Sequence, residues 1–254
     1  MKKLIVISST LYIRNYIDTD AFKKIKDKNT FITCTTNISN KQSVVNDPNF
    51  VGEFESSNFN KSLFTFFTLL LMYSNRKLNK GFYFNFKTRN TTIYYPSLRL
   101  KNKVSEWFSN RLCQLITIRV LEFLRPFVHP IRLLNFCFIV IIDFLQLTNK
   151  IINIYNFLLN KNKELKSIIK SVKPDLVLIP NGGLDPNAHE VLALSTKWNF
   201  KTMLLVDNWD NLCSKSKFPI EPDYLCVWGE QAKLHAKNFH QIEPSRVFLA
   251  GTPR

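Results

Sequence analysis

The sequence predicts an α/β protein built on a Rossmann-like, doubly wound parallel sheet, and three observations lead to that fold class. After residue 171, strand, loop and helix patterns alternate with short connections, which is typical of parallel sheets with helical crossovers. The runs at 176–179 and 202–206 are almost continuously apolar, as in strands buried on both faces. The first 55 residues carry a β-α-β pattern of their own, which indicates a further part of the same sheet.

The elements can be justified in chain order. Residues 3–9 are a short apolar run behind two lysines; a secretory signal needs ~7–15 apolar residues, so we interpret this run as the first strand. Residues 18–28 begin acidic and end basic, which favours a short helix. Residues 75–103 alternate cationic and amide side chains with aromatic ones, and we interpret them as an extended insertion. We predict strands at 3–9, 30–36, 50–54, 176–179, 202–206, 223–227 and 246–250, and helices at 18–28, 104–124, 131–170, 187–198 and 230–239.

The middle of the chain holds most of its charge. The 254 residues include 35 basic and 19 acidic side chains, a net charge of +16. Residues 56–135 hold 13 basic and 2 acidic side chains, or +11, whereas residues 171–254 hold nine of each. We therefore predict one domain over 1–254, with a sheet from about 1–55 and 171–254, and a helical, basic, aromatic-rich insertion over 56–170.

A basic region of this kind has two common partners. Basic residues interleaved with aromatic ones can follow nucleic-acid phosphates, but the sequence has no nucleic-acid-binding motif, and we expect no nucleic acid. The apolar stretches at 63–72 and 131–147 fall short of the ~20 residues of a spanning helix. Two interpretations of them stay open: buried core helices, or an in-plane attachment to an anionic membrane surface.

The cysteines and histidines indicate no metal centre. Five cysteines, no two of them at CxxC spacing, are typical of reduced thiols and not of a disulfide framework or zinc ribbon. His235 and His240 are five residues apart, which misses the i, i+4 spacing of a helical metal pair. We predict no metal and no tightly bound cofactor.

The loop at 180–189 follows a predicted strand, and open parallel sheets bind ligands at the carboxyl ends of their strands. Its paired glycines permit close backbone approach, and the helix after it offers free N–H groups. A plain turn with an N-cap explains the same residues. His189 is a candidate general base, because a helix N-terminus favours the neutral imidazole; a solvated helical histidine is the alternative. The candidate binding residues are Asn181, Gly182, Gly183 and Asp185.

The loop at 207–215 has the densest polar chemistry of the chain. Two carboxylates, two amides, a tryptophan, a hydroxyl and an ammonium group fall within it, more than a structural turn needs. Such a set can bind a sugar through its hydroxyls and its ring face. Asp207 and Asp210 are candidate catalytic residues, one of them as general base on an acceptor hydroxyl. The candidate binding residues are Asn208, Trp209, Asn211, Ser214 and Lys215, of which the lysine can also neutralise a phosphate.

A third loop, at 227–231, adds Trp228 and Glu230 to the candidate binding residues. Gly229 can turn the chain directly after the strand, and a glutamate suits the first turn of a helix. A plain strand-to-helix turn explains these residues equally well.

Four segments in a fixed order resemble one family. The chain is similar here to bacterial surface-carbohydrate biosynthesis proteins, that is, to B-type glycosyltransferases and CDP-glycerol glycerophosphotransferases, whose architecture the non-hydrolysing UDP-N-acetylglucosamine 2-epimerases share. The resemblance covers about residues 171–254. The segments are Lys-Pro-Asp-Leu-Val at 173–177, Val-Asp-Asn-Trp-Asp-Asn-Leu-Cys-Ser-Lys at 206–215, Pro-Asp-Tyr-Leu-Cys-Val-Trp-Gly-Glu at 222–230 and Arg-Val-Phe-Leu-Ala-Gly-Thr-Pro-Arg at 246–254.

The resemblance implies two Rossmann-like domains, an N-terminal one for the acceptor and a C-terminal one for a nucleotide-activated donor, either a nucleotide sugar or CDP-glycerol. In the family the Gly-Thr-Pro-Arg segment leads into the second domain, and this chain stops there, so we expect the acceptor half alone, inactive without the donor domain. The implied acceptor is a lipid-linked or phosphorylated glycan of lipopolysaccharide, capsule or teichoic-acid type. The implied location is cytoplasmic, peripheral on the inner face of the cytoplasmic membrane.

Three alternative hypotheses stay open: an epimerase-like fragment, an inactive membrane-bound partner fragment, and a basic nucleic-acid-binding protein. An in-frame continuation after Arg254 that encodes another α/β domain would identify a truncated transferase.

Overall fold

A seven-stranded sheet forms the centre of the computed structural model, which describes residues 1–82, 86, 130–159, 162–181 and 185–251. The strand order is β3-β2-β1-β4-β5-β6-β7, and all neighbours are parallel. This confirms the predicted α/β class with a parallel sheet, and the order is that of a doubly wound, Rossmann-like fold. The strands are β1 (Lys3–Ile7), β2 (Thr30–Thr35), β3 (Phe50–Phe54), β4 (Leu176–Asn181), β5 (Lys201–Val206), β6 (Tyr224–Val227) and β7 (Val247–Leu249).

Helices connect the strands and cover the sheet. Two π-helical turns, at Ile13–Ile17 and Ala236–His240, extend the first and the last of them, and a 3-10 turn at Pro244–Arg246 leads into β7. The helices are α1 (Thr10–Tyr12), α2 (Asp20–Ile25), α3 (Gln42–Val45), α4 (Asn58–Ser74), α5 (Pro130–Phe144), α6 (Thr148–Leu158), α7 (Lys163–Val172), α8 (Pro186–Ser195), α9 (Asn211–Ser214) and α10 (Glu230–His235).

The strand order reverses between β1 and β4. On one side β1 pairs with β2, and on the other it pairs with β4, where Ile5 lies opposite Leu178. β4 and β5 pair as far as Asn181, which lies opposite Val206. The carboxyl ends of the central strands therefore meet at one edge, which is where ligands of such sheets bind.

Alternate residues of β4 enter two separate cores. Val177 and Ile179 are at most 1% exposed and belong to the largest apolar cluster, which includes side chains of α4 to α8. Leu178 faces the other way, into a cluster with Ile5 and Ile32. The strand is apolar at successive positions because both of its faces are covered, and each such side chain contributes ~1.5–3 kcal/mol on full burial.

Side-chain caps determine where α4, α7 and α8 begin. Ser57 accepts from the backbone N–H of Asn60 at 3.2 Å, and Asn162 accepts from that of Leu165 at 3.0 Å. At α8, Asp185 is the cap and proline fills the first helical position. Each cap satisfies an N–H group that the helix cannot pair and contributes ~1 kcal/mol.

The first helical segment begins earlier than predicted. The sequence predicts a helix over 18–28, but the chain becomes helical at Thr10, where Ser9 caps α1. The π-helical turn then carries it toward α2. A π-helical turn has no sequence signature of its own. The acidic start and basic end of residues 18–28 therefore indicate only the last part of this helical segment, which is α2. The predicted helix at 104–124 and most of the predicted insertion at 75–103 lie outside the described residues.

Within the described ranges, no single helix is long and apolar enough to cross a membrane. The segments Phe136–Phe144 and Thr148–Phe157 pass that test only as a pair, and the pair is bent by 115°. These segments are parts of α5 and α6, which both pack against α4.

Candidate functional site

At the reversal of strand order, Asp185 follows β4 and caps α8. Its Oδ1 accepts from the backbone N–H of Asn187 at 2.9 Å, and its Oδ2 is a buried acceptor without a partner in the part of the chain that the structure describes. Burial raises the pKa of Asp185, and hydrogen bonding, including that from Asn187, opposes the rise. Asp185 thus combines an N-cap with an unpaired acceptor. Gly182 and Gly183, predicted to bind ligand here, lie outside the described residues.

A pocket of about 240 Å³ opens at this part of the sheet. The π-helical turn forms one wall of it through Asn15 and Tyr16. Drug-sized ligands occupy pockets of ~300–1,000 Å³, so this pocket suits a single ring. The lining residues are Ile5, Asn15, Tyr16, Thr19, Phe22, Leu178, Pro180, Leu205, Val206, Cys226, Trp228, Ala250 and Gly251.

Two residues that line the pocket carry buried donors without a hydrogen-bond partner among the described residues. They are the Nδ2 amide of Asn15, a residue only 6% exposed, and the indole Nε1 of Trp228. The Asn15 side chain is held in place through its oxygen, which accepts from Arg14 Nε at 3.3 Å. A buried unpaired donor costs ~1–3 kcal/mol. A ligand that supplies acceptors would recover that free energy.

Tyr16 connects the pocket to the loop after β5. Burial, followed by the negative charge of Asp207, raises the pKa of Tyr16 well above its usual value. The phenol therefore stays protonated and can donate a hydrogen bond. Because the charge of Asp207 influences the pKa of Tyr16, the Asp207 carboxylate lies near this residue of the pocket wall.

The loop after β5 is organised by its own polar side chains. Asp207, 9% exposed, accepts through Oδ1 from the Asn211 side-chain amide. Asp210 accepts through Oδ2 from the Ser214 hydroxyl at 3.1 Å. In the parts of the chain that the structure describes, Asp210 Oδ1 and Asn211 Oδ1 are buried acceptors without a partner. The loop after β5 thus carries unpaired acceptors, and it starts directly after Val206, which lines the pocket.

Strand register brings several of the predicted residues to one edge. Asn181, 1% exposed, ends β4 opposite Val206, so Asp207 comes one residue beyond it. β5 and β6 pair at Leu205 and Cys226, which places Trp228 just past the end of β6. The structure thus gathers Asn181, Asp185, Asp207 and Trp228 at the carboxyl ends of neighbouring strands.

The remaining predicted binding residues are more open. Trp209 is 59% exposed, and its backbone N–H donates to the side-chain oxygen of Asn208 at 3.1 Å. Lys215 is half-buried directly after α9, and Glu230 is exposed in the first turn of α10. These side chains are at least partly exposed to solvent and do not line the pocket.

The structure places His189 in the core, which corrects the expectation of a histidine facing the site loops. The side chain is 1% exposed, and its ring centroid lies 4.8 Å from that of Phe64 on α4. Burial lowers the pKa of His189 to about 3. The imidazole is neutral, as predicted, but desolvation is the cause, and a base in this position has no access to substrate.

Sequence reasoning missed Asn15 and Tyr16. Both lie in the π-helical turn before the helix that the charge pattern indicates. The two residues could have been found from the rule that ligands bind in the loops after the central strands, because β1 is one of those strands and this turn follows it. The described residues contain no group of three or more His, Cys, Asp or Glu side chains placed to hold a metal ion.

No protein-family model matches the chain, and neither a curated protein nor a solved structure matches it significantly.

Proposed function

We propose that the chain is the acceptor-binding half of a glycosyltransferase-like enzyme of cell-surface polysaccharide synthesis. In this proposal it holds a glycan or glycerol-phosphate acceptor while a second domain, on the same or a separate chain, brings a nucleotide sugar or CDP-glycerol. The observation that carries the proposal is the pair of buried unpaired donors in one small pocket, next to a loop that begins after Val206 in the pocket wall and carries buried unpaired acceptors.

Hydroxyl groups suit this mixture better than other ligand groups do. A hydroxyl donates one hydrogen bond and accepts up to two, so it can use both kinds of unpaired atom. The Nδ2 amide of Asn15 and the indole of Trp228 can donate to a hydroxyl in the pocket, and Asp210 and Asn211 can accept from a hydroxyl that reaches the loop after β5. The aromatic faces of Tyr16 and Trp228 can cover the apolar side of a sugar ring.

In the proposed reaction Asp207 acts as general base. The acceptor hydroxyl gives its proton to the Asp207 carboxylate while its oxygen bonds to the anomeric carbon of the donor. The bond between that carbon and the leaving oxygen breaks, and the nucleoside diphosphate departs with the electron pair. With CDP-glycerol the same oxygen attacks phosphorus and CMP departs. Asn211 orients the base through its hydrogen bond to Asp207.

Ligand binding tests the proposal without a donor domain. We expect saturation-transfer NMR to detect contact with at least one of a panel of methyl hexosides, methyl N-acetylhexosaminides and glycerol 3-phosphate. Asp207→Asn and Trp228→Phe should each weaken that binding about fivefold or more, the loss expected for one hydrogen bond in a buried site. Trp198→Phe, which removes an indole near Lys170 and away from the pocket, should leave binding unchanged.

Two results would overturn the proposal. One is the absence of binding to every member of the panel. The other is binding that both site variants leave intact. Selective binding of UDP sugars, with no affinity for the free glycosides, would favour the epimerase-like alternative instead.

A further inference from the structure

Helices α5 and α6 expose an extended apolar surface. On α5 it includes Leu134, Phe138 and Ile141, at i, i+4 and i+7, which places them along one side of the helix, and Leu145 follows directly after the helix end. Each is more than half exposed, and Phe144 in the last turn is 82% exposed. Monomeric proteins scatter single apolar side chains over their surface, but a contiguous series marks an interaction site.

Helix α6 also has exposed apolar side chains on one side. On α6, Ile154 is 57% and Phe157 71% exposed, three residues apart on one side. The inner side of α6 is packed against the core, because Tyr155 on the opposite side is fully buried against Phe67. Ile139 and Ile142 of α5 are also buried in the main core. Both helices therefore have an anchored inner face and an apolar outer face.

Cations flank this surface. Lys197 Nζ lies 4.9 Å from the ring centroid of Phe157 on α6. The residue after this lysine is Trp198, whose ring centroid lies 5.8 Å from a second cation, Lys170 Nζ. Asp143 is the acidic residue within α5 and α6, and its charge is compensated by Arg76 at 2.7 Å. Exposed apolar groups with lysines and a tryptophan beside them are typical of helices that lie in a membrane interface.

We propose that the outer face of α5 and α6 docks on an anionic phospholipid bilayer, with both helices lying in the plane of the interface. With 15 and 11 residues, each helix is shorter than the ~20 residues of a span, and the 115° bend prevents the two from forming one straight span. The apolar side chains enter the headgroup and acyl boundary, and the lysines meet lipid phosphates. This proposal does not depend on the sugar site.

Vesicle flotation with the whole chain tests the docking surface. We expect the chain to float with vesicles of phosphatidylcholine and 30% phosphatidylglycerol, and the double variant Phe144→Ser with Phe157→Ser to lose at least tenfold in partitioning. Phe248→Ser is the matched control, because Phe248 is 46% exposed on β7, outside α5 and α6. A double variant that floats like the control would overturn the proposal.

Charge variants test the preference for anionic lipid. Lys170→Glu with Lys197→Glu should lower partitioning onto anionic vesicles at least fivefold. Lys24→Glu with Lys28→Glu changes the net charge equally at exposed positions near α2 and should have little effect. Equal binding to pure phosphatidylcholine would overturn the anionic preference. A dimer in sedimentation that the Phe144 and Phe157 substitutions dissociate, without flotation, would identify a second copy of the chain as the occupant.

Discussion

The side-chain amide of Asn162 donates to the carboxylate of Glu190 across 2.7 Å. Asn60 donates to the other oxygen of the same carboxylate at 2.6 Å, and Glu190 itself is fully buried. One carboxylate from α8 thus joins the start of α4 to the N-cap of α7. These are the helices that lead into and out of the middle of the chain.

We expect Glu190→Ala to lower the free energy of unfolding by about 2–4 kcal/mol, because it leaves two buried amides without an acceptor. Urea unfolding measured by circular dichroism tests this. Glu164→Ala removes a carboxylate from the exposed side of α7 and should cost no more than ~0.5 kcal/mol. Equal losses in the two variants would show that the buried carboxylate does not connect the helices.

Stability should fall as the pH drops below about 6.5. Burial lowers the pKa of His189 to about 3 and that of His240 to about 4, so below the ordinary value the unfolded chain takes up protons that the folded chain does not. Each histidine then contributes a slope of up to about 1.4 kcal/mol per pH unit. Urea unfolding at pH 7, 6 and 5 measures the slope.

His189→Gln removes one of the two titrating groups and should reduce the slope between pH 6 and 5 by about one proton. The same slope in the variant and the parent chain would show that His189 is not one of the groups that take up a proton on unfolding.

Asn15→Leu should separate stability from binding. The substitution removes a buried donor that has no partner among the described residues, so the free energy of unfolding should stay constant or rise by up to ~1 kcal/mol. Saccharide binding should fall at least fivefold, because the donor is then missing from the pocket. Thermal unfolding and the saturation-transfer measurement give the two values. A loss of stability together with intact binding would show that Asn15 is a structural residue.

Gly81→Ala should disturb the site loop from outside the site. A Cβ at Gly81 would lie 2.5 Å from the backbone oxygen of Cys213 in α9, and that oxygen already accepts from Asn79 Nδ2 at 2.7 Å. We expect a loss of ~1–3 kcal/mol in stability and weaker saccharide binding. Gly229→Ala is the control for stability, because a Cβ there meets nothing within 4 Å. Equal stability of the two variants would contradict the contact.

The parallel sheet could be predicted because its signal is local. β4 and β5 are apolar at nearly every position since both faces are covered, and turns with glycine or polar residues bound them. The predicted strands alone indicate the site loops, and Asp185 and Asp207 do lie just beyond the carboxyl ends of β4 and β5. These inferences require only that the last residue of each strand is known.

The remaining features depend on contacts between distant segments. His189 occupies a helical position that could face either solvent or core. It faces the core because it packs against Phe64, which is more than a hundred residues earlier in the chain. Asn15 enters the site through a π-helical turn, which depends on packing and not on residue preference. The sequence leaves open whether the apolar stretch of α5 is a core helix or a surface attachment, because an apolar helix carries no mark of which side is covered.

The pairing of β1 with β4 has a consequence for how the protein folds. The backbone N–H of Lys2 donates to Asp175 across a separation of 173 residues, so the two parts of the sheet can join only after a very long loop has closed. Such non-local pairing slows folding, and we expect β1 to β3 and β4 to β7 to form as separate units that dock late. Loop closure costs only ~0.6 kcal/mol more for each doubling of length. The crossover from β3 to β4 is therefore the place where this fold can gain or lose whole segments while its sheet stays intact.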